Sequence, residues 1–91
     1  MAKYRKKPVV IEAFRLGIDC QPDWFCDAKS SNAVTTHNID GEYRGGPDFA
    51  LIQTLEGVMR ANAGDWVIKG VRGELYPCRS DIFNATYEKV E

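Results

Sequence analysis

Cys78 is the residue whose type could most directly do chemistry, because a thiolate is a strong nucleophile and Arg79, with a helix beginning after Ser80, would help to form it. A nucleophilic thiol also needs a base, and no Gly-rich phosphate loop, nucleophile elbow or zinc-protease helix accompanies it. A half-buried structural thiol is therefore expected, with a small enzyme using Cys78 as the alternative. Lys69, Arg72 and Arg79 form a second constellation: gathered near one turn, with Tyr76 or Trp66 as an aromatic face, they would suit a phosphate or a nucleobase. Lys69, Arg72, Tyr76 and Arg79 are the candidate ligand- or partner-binding residues, and no catalytic residue is assigned. His37 has no Ser or Cys motif around it, and Glu12 has no identifiable partner. Cys20, Cys26, Cys78 and His37 make a poor zinc set, since five residues separate Cys20 from Cys26 where about two to four are usual. Neither a metal nor a cofactor is expected.

The elements that would position these residues are short. "PVVIEAFRL" alternates as a strand over residues 9–16, apolar on both faces, with the fixed φ of Pro8 at its entrance. In "PDWFCDAKSS", Pro22 suits a first helical position, and Trp24, Phe25 and Ala28 fall on one side of a short helix that covers the sheet. Residues 32–39 read as a modest strand. Residues 40–48, "DGEYRGGPD", read as a Gly-rich loop, the natural place for a partner-binding segment. From Phe49 onward, short β-rich runs are separated by Gly57, Gly64 and Gly73, a spacing that predicts four antiparallel strands in a hairpin meander. Pro77 puts the fourth of these at an edge, because it donates nothing to a ladder. Ser80 is read as the cap of one helical turn, and "TYEKV" as a last short strand beside the first. The expected fold class is α+β: a small antiparallel sheet of about five to six strands, open or barrel-like, with one covering helix and a C-terminal helical turn.

Composition bounds the function. The 91 residues suit one domain with one small core, which leaves little room for a deep cavity and puts any sizeable pocket between protomers. A net charge of −1 gives no general field for nucleic acid, which is not favoured as a partner. The local exception is the start, where Lys3, Arg5, Lys6 and Lys7 surround Tyr4 and read as a solvated basic segment, with a nucleic-acid-binding factor that uses these lysines with Lys69, Arg72 and Arg79 as the alternative. No apolar run is long enough to span a bilayer, and the run after the basic start is too brief for a signal peptide. Three cysteines do not make a disulfide framework, which points to a reducing cytoplasm. The unpaired edges of so small a sheet make a homo-oligomer a natural outcome.

"YRKKPVVIEAF", the helix carrying "PDWF", and the signature GDWVIKGV-x-GE-x-YPC-x-x-DIF followed by Thr86, Tyr87 and Glu88 resemble a set of short uncharacterised bacteriophage and prophage proteins. The likeness covers both ends and most of the second half, and residues 30–48 fall outside it. It implies action inside an infected bacterium and carries no activity, cofactor or catalytic residue with it. By analogy with other small accessory phage proteins, a host protein or a small nucleotide signal is the implied partner, antiviral defence components included.

Overall fold

The computed structural model describes residues 1–5, 9–39, 41 and 45–90. Lys6, Lys7 and Pro8, and Asp40 with residues 42–44 of the Gly-rich loop, lie outside the described residues, so the expectations attached to them do too. The chain forms β1 (Glu12–Arg15), α1 (Asp23–Ser30), β2 (Val34–His37), β3 (Phe49–Thr54), β4 (Gly57–Asn62), β5 (Trp66–Lys69), β6 (Leu75–Cys78) and α2 (Ser80–Thr86). This is the expected α+β class, arranged as two three-stranded antiparallel sheets ordered β1-β5-β6 and β2-β3-β4. Neither sheet closes into a barrel. β6 is an edge strand, as Pro77 requires.

The four-strand meander is interrupted. β3 and β4 form one hairpin and β5 and β6 another, but β4 and β5 do not pair. The reason lies at Gly64 and Asp65. Gly64, at φ +92°, donates its amide to the Leu16 carbonyl (2.8 Å), and the Asp65 carbonyl accepts from the Leu16 amide (2.9 Å). The Gly64 amide and the Asp65 carbonyl are thus spent on the end of β1, which carries the chain from one sheet to the other, while the Asp65 amide donates back to the Asn62 carbonyl.

The core fills the space between the sheets. Phe14, Leu16 and Val67 from one sheet meet Val34, Ala50, Ile52 and Ala61 from the other, and Phe25 of α1 closes the end, all essentially without solvent contact. Phe14 makes edge-to-face contacts with Trp24 (5.6 Å) and Phe25 (4.8 Å), so the apolar side of α1 predicted from Trp24, Phe25 and Ala28 is the side that packs. The helix starts one residue after the expected position: Pro22, extended at φ −72° and ψ 162°, is its N-cap.

Three boundaries differ from the sequence pattern. β1 covers four residues and not 9–16, because β5 ends at Lys69 opposite Glu12 and the chain then turns. The second strand is likewise trimmed, to Val34–His37. At the other end Arg79, extended at φ −63° and ψ 146°, is the N-cap in place of Ser80, and α2 runs for seven residues. Residues 87–90 then form no strand. Among the described residues, no helix is long and apolar enough to cross a membrane.

Candidate functional site

β1 is the outer strand of its sheet, and its hydrogen bonding can be assigned residue by residue. Leu16 turns its amide and carbonyl toward the residues preceding β5. By the two-residue period of a strand, Phe14 and Glu12 also face β5, while Arg15, Ala13 and Ile11 aim their backbone groups outward. At Arg15 the outward groups are used: the amide donates to Asp19 Oδ2 (3.0 Å), and the carbonyl accepts from the amide of Asp19 (3.0 Å). At Ala13 and Ile11 they have no partner among the described residues. An exposed strand edge of this kind is a template for another strand.

A groove of about 730 Å³ runs along this edge. Its floor includes Val9, Ile11 and Ala13. One wall is Trp24 of α1, and the opposite wall is Phe83 of α2 with Tyr87. The second wall is held by stacking, with Phe83 flat on Trp66 (4.0 Å, 8°) and Tyr87 leaning on Phe83 (4.9 Å). Tyr87 also neighbours Tyr76; burial first, and the Tyr87 hydroxyl beside it second, push the Tyr76 hydroxyl up to about 12. Residues 88–90 complete the rim, so the chain end expected to pair with β1 faces it across the groove instead. The rim is acidic, with Glu12, Asp19 and Glu88 against Lys89. The groove also corrects the expectation that a sizeable pocket needs two protomers. The Trp66 indole Nε1 is buried beside it without an acceptor among the described residues.

The four residues singled out from the sequence are not drawn into one patch. Lys69 pairs with Glu12 (3.7 Å) on the sheet face that carries Phe14, whereas Tyr76, opposite Ile68, is on the other face. Arg72 sits in the β5–β6 turn, where its amide donates to Glu74 Oε1 (2.9 Å). Arg79 lies at the far end of β6, paired with Asp81 (3.1 Å). Two of the four touch the groove's surroundings, Tyr76 beside Tyr87 and Lys69 through Glu12. Cys78 is half-buried, and burial followed by the Asp65 and Asp81 carboxylates pushes its thiol up, the direction opposite to an activated nucleophile.

The groove residues escaped the sequence reading because each had a structural explanation of its own. A signal was present: the strand pattern of residues 9–16 is longer than any partner available to it. The open face of the second sheet carries another arrangement, with His37 stacked on Phe49 (5.0 Å, 19°) and the Arg60 guanidinium 3.9 Å from the Phe49 ring centre. Among the described residues, no three His, Cys, Asp or Glu side chains gather as a metal-ligand set. Against family models, curated proteins and solved structures alike, this chain finds no match.

Proposed function

We propose that this chain is a small, non-enzymatic phage or prophage accessory protein that holds an extended segment of a host protein as an added strand on β1, blocking that protein and so acting against bacterial antiviral defence. One observation carries the reading: a strand edge whose outward backbone groups at Ile11 and Ala13 have no partner among the described residues forms the floor of an aromatic-walled groove. Strand addition uses those features in that way, with backbone bonds supplying affinity and flanking pockets selecting alternate side chains. The occupant is an extended polypeptide with apolar residues at alternate positions, and the site of action is the host cytoplasm. The test is a photo-crosslinker at Ala13, with Asp27 on the exposed side of α1 as control, in infected-cell lysate. The expected product maps to one extended host segment and is lost in Ile11→Pro, which lacks an outward amide. Equal capture from Asp27, or capture indifferent to Ile11→Pro, refutes strand addition.

A second reading has its own support in the planar stack of His37, Phe49 and Arg60 on the open sheet face, the kind of surface on which a nucleotide base stacks. It predicts that Arg60→Ala abolishes binding of a nucleotide probe such as ATP. Unchanged binding in that variant removes it.

A further inference from the structure

The outer face of the β1-β5-β6 sheet has an apolar cover of its own. Ile68 is 1% exposed yet stands outside the cluster between the sheets, on the face it shares with Ala13, Trp66 and Tyr76. Phe83 lies flat on Trp66 (4.0 Å), and Tyr87 leans on Phe83 and neighbours Tyr76, so α2 and Tyr87 lie over that face. The cover is weakly tied. Within residues 81–87 only Phe83 and Tyr87 are half-buried, and the rest are exposed. Among the described residues, the hydrogen bonds of residues 80–86 stay within 79–87, so none of these fastens the helix to the sheet. Arg79 caps α2 without a side-chain hydrogen bond, and seven residues are too few to hold a helix once detached. Closure also carries a penalty. The Trp66 Nε1–H is buried without an acceptor among the described residues, a cost that is relieved as soon as the indole meets water or a ligand.

We infer that α2 and Tyr87 form a displaceable wall: residues 80–87 leave the sheet as one unit, unwinding as they go, and open the groove onto Trp66 and Ile68. The consequence for capture rests on the reading of the groove as strand-accepting, whereas the opening itself is a property of the free chain. The pivot is Arg79, extended between the end of β6 and the first turn of α2. In the closed arrangement Phe83 takes the exposed side of Trp66 and ends the groove there. In the open one, the indole ring and Ile68 are offered to side chains of a strand laid on Ala13, and the freed Nε1–H donates to an incoming carbonyl. An opening of this kind is a local unfolding, with a free energy below that of the whole domain. The groove depth an occupant meets is therefore set by α2.

Hydrogen exchange of the full-length chain, read residue by residue by NMR at a series of urea concentrations below unfolding, tests this. The indole resonance is assigned to Trp66 by its proximity to the Phe83 ring, so no destabilised variant is needed. The Trp66 Nε1–H and the amides of Phe83 and Tyr87 should share one protection, roughly hundredfold or more below that of Ile52 and Val67 on the central strands, with a urea dependence less than about half as steep. A Trp66 Nε1–H as protected as Ile52 and Val67, which a fixed wall with a resident water as acceptor would give, overturns the displaceable wall. Exchange of the indole at a rate unrelated to the Phe83 and Tyr87 amides overturns it too. Each reading can fail without the other: a wall that opens in a chain whose Ala13 cross-links to no host segment removes only the host partner, and a fixed wall in a chain that does cross-link removes only the opening.

Discussion

At the scale of single residues, Tyr76 lies where the sheet meets the groove wall, with the Tyr87 hydroxyl beside its own. Its folded-state pKa of about 12 lies above the ordinary value of 10.0, so the folded protein holds that proton more tightly than the unfolded chain does. The sign follows: the stabilisation is fully present below the unfolded value and is lost as pH rises through the folded one. Melting temperature should therefore fall as pH is raised from 10.0 towards 12, and Tyr76→Phe should flatten that fall. Thermal melts across the alkaline range check this. Cys78 offers a second prediction. Its half-buried thiol with a raised pKa should react with an aromatic disulfide reagent more slowly than exposed Cys20 and Cys26, in two kinetic phases. A Cys78 that reacts first would contradict its half-buried position.

At the scale of elements, the crossing between sheets depends on Gly64. Its φ of +92° is a conformation that side chains strain to adopt, and a Cβ there would meet only the Arg15 guanidinium at 3.9 Å. Gly64→Ala should therefore cost about 1 to 2 kcal/mol through backbone strain alone, measured by urea denaturation. The helix α2 has a different dependence. It contributes no residue to the buried core and is held by the flat contact of Phe83 on Trp66, so Phe83→Ala should cost roughly 2 kcal/mol and loosen the groove wall. Faster amide exchange confined to residues 80–87 is the matching observation. Phe25, closing the core itself, has the larger penalty expected of a fully buried ring, about 3 to 5 kcal/mol on truncation to Ala.

At the scale of the whole molecule, apolar burial is the main source of stability. The ion pairs given for the described residues, Lys69 with Glu12 and Arg79 with Asp81, are wholly or partly solvent-exposed, and such pairs contribute little. Raising salt to roughly 0.5 M should shift unfolding free energy by less than about 1 kcal/mol. A large loss with salt would show that charge holds the fold.

Much of the architecture was legible in local pattern. Gly57, Gly64 and Gly73 all adopt positive φ at turns, Pro77 lies on an edge strand, and Trp24, Phe25 and Ala28 face the core from one helix side, because each depends on the chemistry of a residue and its immediate neighbours. Pairing is a different matter. Whether β5 joins β4 or β1 turns on where the backbone groups of Gly64 and Asp65 find partners, and Leu16, far away in sequence, supplies them. The scatter of Lys69, Arg72, Tyr76 and Arg79 was decided in the same way, since strand register assigns side chains to faces and ends that spacing alone does not reveal. The sequence by itself determined an α+β chain with its turns, its edge and its covering helix. Only the tertiary structure decided that β1 lies at an edge, with the outward groups of Ile11 and Ala13 unpaired among the described residues, because an edge is defined by the strand that does not come to pair with it.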